Sequence, residues 1–308
     1  MRAIVRTILG IRVQTALNLG LMLDMPQHST LNELLTDPDV VPFQPSPVTL
    51  GMEVPEPYDM NTDSKEVREQ LLVIGNKGHK AAAGGTSGID TFDVVPHLAT
   101  DTGLFGMIPF VIKPFSGDLT PEQRRNYRMR KTMWYNGELY VAYYGRKLNV
   151  NSVTPEMTIT DVSNGNSQTR PFAPTVNNSK PKPRIIDGEG DGSYVKTVAN
   201  VDVIFGQQEI TWLREVGQIF FNDPNKGLIS ELAFCSCVDK PVTRRYPGTG
   251  TQNPSNVPPG ERFEVVGVQV NTFVSTFLTS NLNGGMGGTY NLGGEDPLYQ
   301  TANDPSGP

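Results

Sequence analysis

The sequence predicts an α+β chain that is mainly β, with an antiparallel or mixed sheet or sandwich body, a few short helices, and long irregular arms at both ends. Three observations carry that expectation. First, Val195, Thr197, Ala199, Val201, Val203 and Phe205 alternate with Lys196, Asn200 and Asp202, the two-residue period of a half-buried strand. Second, Asn136-Gly137 sits between aromatic and β-branched residues in "MWYNGELYVAYYGRKLNV", the strongest short-range hairpin signal. Third, Gly (31) and Pro (25) together make about a fifth of the 308 residues, a level that cuts helices short and favours turns, loops and short strands.

Taken in order, residues 1–24 read as a helix or an apolar arm. They are basic, as a transit peptide is, but Arg6 and Arg12 break the apolar run that a secretory signal requires. From Pro26 to Met60 the text is Pro-rich and aperiodic, which predicts an extended segment ordered by something outside it. "DSKEVREQLLVIG" (63–75) reads as a short helix ending at Gly75, and "NKGHKAAAGGTSGID" as a flexible loop. "TGLFGMIPFVIKPF" is strand text broken by prolines. "DLTPEQRRNYRMRK" opens with Thr120 as N-cap, Pro121 at the first helical position and Gln123 closing a capping box, which predicts a helix. A second irregular stretch spans 164–182.

After the strand at 195–205, "QQEITWLREVGQIFF" takes helical spacing, with Ile210, Leu213, Gly217 and Phe220 on one side. "NDPNKG" turns the chain and "LISELAFCSCV" returns as an apolar strand, so a crossover unit with the helix on a sheet is expected. "RFEVVGVQVNTFVSTFL" is the longest strand text. The tail "NLNGGMGGTYNLGGEDPLYQTANDPSGP" has the composition of a flexible arm. The expected organisation is an N-terminal arm over 1–60, a mainly β body over 61–281 that divides near 164–182, and a C-terminal arm over 282–308. Both arms are expected to lie on neighbouring subunits, because an extended arm has little apolar surface of its own to offset its ordering entropy.

Composition narrows the function classes. The net charge of -6 lacks the basic surplus of a general nucleic-acid binder. No apolar run reaches the roughly 18 residues that span a bilayer. Cys235 and Cys237 form C-S-C, a spacing that suits neither a disulfide, a redox pair nor a zinc site, so both are expected reduced and buried.

Each candidate for chemistry falls short of its pattern. In "RIIDGEGDGSYVKTVANVDVIF", Asp187, Glu189 and Asp191 take the first, third and fifth positions of a calcium loop and Gly192 the sixth. The twelfth position, where a bidentate Glu should close the cage, is Val198, so a turn entering a strand fits better. "GNKGHK" (75–80) has its glycines too close for a phosphate loop. His28, His79 and His97 form no metal-ligand pair, and no G-x-S-x-G elbow exists. "RRNYRMRK" (124–131) carries five basic residues beside aromatics. It reads as a solvated helix face or a subunit contact before a nucleic-acid patch. No catalytic, cofactor or metal residue is assigned.

At "FSGDLTPEQRRNYRMRKTMWYNGELYVAYYGRKLNV" and "NKGLISELAFCSCVDKPV" the text resembles virion structural proteins of large tailed bacteriophages. The resemblance covers about a third of the chain. It implies a non-enzymatic, homo-oligomeric subunit of neck, tail or baseplate, or a capsid-associated protein, partnered by its own copies and other virion proteins and assembled in the host cytoplasm. The alternatives are a particle-borne carbohydrate-degrading enzyme and a Ca-dependent binding module.

Overall fold

The computed structural model describes residues 3–19, 22–23, 48–49, 68–81, 92–150, 153–163, 166–173, 175, 193–244, 260–278 and 286–297. The chain is mainly β, with antiparallel sheets and three α-helices among the described residues. It divides into two compact units, Met1–Asn149 with Phe205–Met286, and Val150–Ile204 with Gly287–Pro308. The boundaries therefore fall at 150 and 204, not near 164–182. No helix among the described residues is long and apolar enough to cross a membrane.

The first unit is built on an eight-stranded sheet. Its main path runs from β1 (Ala3–Arg6) through β15 (Gly260–Leu278), β14 (Ile229–Arg244) and β4 (Arg68–Gly75) to β10 (Glu138–Lys147) and β8 (Val111–Pro114). β7 (Met107–Ile108) pairs with β4, and β9 (Tyr127–Tyr135) with β10. β5 (His79–Ala81) and β6 (Phe92–Val94) make a separate small ladder, as do β2 (Met22–Leu23) and β3 (Val48–Thr49). Leu71 to Ile74 on β4 and Leu232 to Cys235 on β14 are at most 1% exposed, so these central strands are covered on both faces.

That burial explains one departure from the sequence expectation. Residues 63–75 read as a short helix with an Asp or Ser cap and a terminal Gly, yet 68–75 form β4. A run of four fully buried aliphatic side chains needs cover on two sides. A central strand supplies that, and tertiary packing overrides a weak local propensity.

The N-terminal segment also differs from an arm. β1 pairs antiparallel with β15, Ile4 opposite Val274, and helix α1 (Ile8–Leu19) follows at once. Thr7 joins them. Its hydroxyl donates to Val270 O at 2.6 Å and accepts from Gly10 N–H at 2.9 Å, as an N-cap does. Gly10 is required here, because a methyl would lie 2.5 Å from the Asn271 carbonyl. Val13 and Ala16 complete the buried side of the helix. So 3–19 belong to the body. Most of the remaining predicted arm, 24–60, lies outside the described residues.

The capping box at 120–123 forms as expected, Thr120 Oγ1 accepting from Gln123 N and Gln123 Oε1 from Thr120 N at 3.3 and 3.0 Å. The helix it starts, α2 (Pro121–Arg124), is one turn long. The rest of the predicted helix is β9, whose Tyr127 to Tyr135 pair along β10. The β9–β10 hairpin turns at Asn136-Gly137 as predicted. Both residues have positive φ, 49° and 79°, the geometry of a two-residue type I′ loop.

Helix α3 (Gln207–Phe221) buries Ile210, Trp212, Leu213, Val216 and Gly217, while Phe220 is exposed. It ends at Asn222 in the left-handed region, φ 55°. The strand before it, β13 (Ser193–Phe205), belongs to the second sheet and the strand after it, β14, to the first. The expected same-sheet crossover is therefore absent. Cys235 and Cys237 are free thiols and fully buried.

The second unit is a four-stranded sheet in the order β12 (Asn166–Pro171), β11 (Glu156–Ser163), β13 and β16 (Met286–Pro297). The C-terminal segment is thus partly strand. Its glycines allow this: Gly287 and Gly293 lie directly against the Val203 and Thr197 carbonyls, where a Cβ could not fit. Thr289 Oγ1 donates to Asp202 Oδ1 at 2.6 Å, and Tyr290 is buried. On β13 the buried positions are Val198, Val201, Val203 and Phe205, so the predicted alternation slips once between 198 and 201.

Gly217 provides a test in which two effects oppose. Helix propensity alone makes Gly217→Ala stabilising by about 1 kcal/mol. A methyl there would sit 2.5 Å from Gly227 N and 2.8 Å from Asp223 O, both backbone. Overpacking costs about 1–3 kcal/mol, so the variant should unfold at lower urea. An unchanged or raised urea midpoint by circular dichroism would contradict the packing argument.

Candidate functional site

The first unit gathers its titratable groups at a buried carboxylate. Glu231 stands on β14 and its side chain is fully buried. Such a charge persists only if its lone pairs are satisfied. Oε1 accepts from Lys77 N at 3.1 Å and Gly106 N at 3.0 Å. Oε2 accepts from Phe105 N at 2.8 Å and lies 2.9 Å from His97 Nε2. The adjacent Ser230 Oγ accepts from Gly78 N at 2.9 Å. The loop that hinted at phosphate binding, 75–80, therefore aims its amides at the protein's own β14.

His97 is held as tightly. Its ring lies between Phe105 and Phe273, centroids 4.1 and 3.9 Å away and nearly parallel. Nδ1 faces Asp101 Oδ2 at 3.1 Å, and that oxygen also accepts from Leu98 N at 2.9 Å. Each ring nitrogen thus has a carboxylate oxygen within hydrogen-bond distance. Asp, His and Glu in line evoke a catalytic relay, but a relay needs one ring nitrogen turned toward a nucleophile or substrate. Here both nitrogens are occupied and the ring is sealed. The two carboxylates also sit at opposite edges of the ring, so they do not converge on one ion.

The basic stretch 124–131 turns inward at two positions. Arg128 is 2% exposed, and its Nη1 donates to the Arg124, Arg125 and Tyr127 carbonyls at 2.7–3.1 Å. Arg130 pairs with Asp118 Oδ2 at 3.2 Å, and Tyr143 donates to Asp118 Oδ1 at 2.7 Å. A second cluster fixes α3. Glu209 accepts from Tyr127 Oη at 2.6 Å and from Arg146 Nη1 at 2.8 and 2.9 Å. The Arg146 guanidinium lies 4.7 Å from the Phe205 ring and 5.5 Å from Phe110. Strand geometry, not a helix face, distributes these arginines, so the run is no continuous solvated patch.

Of the other candidates, His79 is partly buried on β5, and burial lowers its imidazole below the ordinary value against a weaker opposing effect of Glu231. Asp187, Glu189, Asp191 and His28 lie outside the described residues. No sequence spacing pointed to Glu231, since it appeared as one polar letter in an apolar strand. That mismatch was the available signal, because a buried acid demands partners.

Two outcomes follow. Replacing Glu231 with Leu leaves three amides and a histidine without their acceptor, a loss of about 3–5 kcal/mol. Glu215→Gln, which breaks a partly exposed pair with Lys113 (2.6 Å), should cost no more than about 1 kcal/mol. Equal urea midpoints for the two variants would refute the ranking. The alkaline limb is set by tyrosines. Burial, and then the Glu209 and Asp118 carboxylates, raise Tyr127 and Tyr143, while burial pushes Tyr144 up to about 12. Above pH 10 the unfolded chain releases phenol protons that the fold retains, so stability is full below 10 and falls as pH rises above it. Tyr144→Phe should flatten that fall, read as thermal midpoint against pH.

No curated protein and no solved structure matches the chain. A family model does, over residues 56–305, which takes in β4 to β16. The chain belongs to that family, a family of unknown function designated DUF7208.

Proposed function

We propose that this chain is a non-enzymatic structural subunit of a tailed-phage particle, in the neck, tail or baseplate or on the capsid, partnered by its own copies and by other virion proteins. The observation that supports it best is a contrast within the first unit. Among the described residues, the Glu231–His97–Asp101 gathering is consumed by internal partners, whereas large apolar side chains stand in solvent. Catalysis by general acid or base requires a group within reach of substrate, and His97 offers none. At the tip of the β9–β10 hairpin, Trp134 is 66% exposed and Tyr135 lies beside it. Exposed aromatics carried on a rigid two-residue turn are suited to anchoring a partner. The resemblance of 115–150 and 225–242 to virion proteins supplies the setting.

The test is composition and copy number. Mass spectrometry of purified particles should find the chain in many copies, at a ratio to other virion proteins set by symmetry. Trp134→Ala with Tyr135→Ser should lower incorporation severalfold. Its thermal midpoint should hardly move, since exposed positions usually contribute within about 0.5 kcal/mol. Absence from particles, or turnover of a host polysaccharide by the purified chain, would contradict this reading.

A further inference from the structure

Among the described residues of the first unit, β1 and α1 carry several exposed large apolar side chains. Ile8, Ile11 and Leu19 fall at helical spacing along α1 and are 58%, 50% and 65% exposed; Ile4 on β1 is 48% exposed. Arg6 and Arg12 are exposed among them, and residues 1–23 contain three arginines and no carboxylate.

The segment that starts just beyond this helix has the opposite character. Residues 24–47 carry four carboxylates, no lysine or arginine, and apolar groups that include Leu34, Leu35, Val41 and Phe43. The β2–β3 ladder pins both its ends, Leu23 opposite Val48. Twenty-four residues of chain separate those ends. We infer that the β1–α1 face docks the acidic 24–47 segment of a second copy of this chain. Apolar anchors enter between the isoleucines, and the carboxylates meet Arg6 and Arg12. Because each copy holds face and segment side by side, two copies can exchange segments reciprocally.

This inference rests on the self-assembly proposed above, and the experiment separates the two. The full chain is compared with a face variant, Ile8→Ser with Ile11→Ser, and a segment variant, Glu33→Gln with Asp37→Asn and Asp39→Asn, by analytical ultracentrifugation. Each variant alone should associate at least tenfold more weakly than the parent. An equimolar mixture should recover a mixed pair, since the face variant keeps a sound segment and the segment variant a sound face. Added salt should weaken the parent's association, because the charge contacts are exposed to screening. If both variants associate like the parent, this contact is wrong while self-assembly stands. If the parent is monomeric and both variants lose thermal stability, the segment covers its own helix and the inference is overturned. A parent that is monomeric and also missing from particles removes the assembly reading itself.

Discussion

A fully buried carboxylate is tolerable only when donors replace the water it has lost, and Glu231 meets that condition with groups drawn from separate parts of the chain. Lys77 follows β4, whereas His97, Phe105 and Gly106 belong to the connection between β6 and β7. β14 itself pairs with β4 on one side and β15 on the other. The charge therefore holds two loops against the centre of the sheet, and the loss of any donor leaves part of the buried carboxylate unsatisfied. The same connection supplies Ala99 O to Ile8 N–H and Val95 O to the Ser275 hydroxyl. The start of α1, and with it the outward apolar face, is thus placed by the loop that the carboxylate organises.

Two further clusters follow a related logic with less burial. Glu209 and Asp118 each bind an arginine and a tyrosine. Breaking such a pair costs more than the pair contributes, because the remaining charge is left desolvated. Their effect is to fix which faces meet. Arg146 can approach Phe205 and Phe110 as it does only while Glu209 holds it, and Glu209 lies in the first turn of α3. Helix and sheet are held in register by polar groups, while Trp212, Leu213 and Tyr127 fill the space between them.

What the sequence made legible was local. The I′ hairpin at Asn136-Gly137, the capping box at Thr120 and the long strands at 193–205 and 260–278 are each specified by neighbours in the chain. What it concealed depended on distant partners. Residues 68–75 look helical until β14 and β10 pair along both edges of the strand. The arginines at 128 and 130 look like a surface run until Tyr127 to Tyr135 pair with β10. The candidate site was hidden for the same reason, since Glu231 acquires its meaning from residues more than a hundred positions away.

The C-terminal segment shows how composition misleads when the physical role of a residue is read one way only. Glycine loosens a free chain, and the tail at 282–308 reads as an arm on that ground. Glycine also lets two backbones approach more closely than any side chain permits, and that is its use at Gly287 and Gly293 against β13. The second unit is closed by pairing residues about ninety positions apart. Loop-closure entropy grows only logarithmically with length, so this costs little more than a short connection would. The strand brings Tyr290 into the interior of a sheet that otherwise buries few large side chains. Residues 286–297 are thus part of the unit's framework, whereas at the other end of the chain the described β1 and α1 carry exposed apolar side chains, Ile4, Ile8, Ile11 and Leu19.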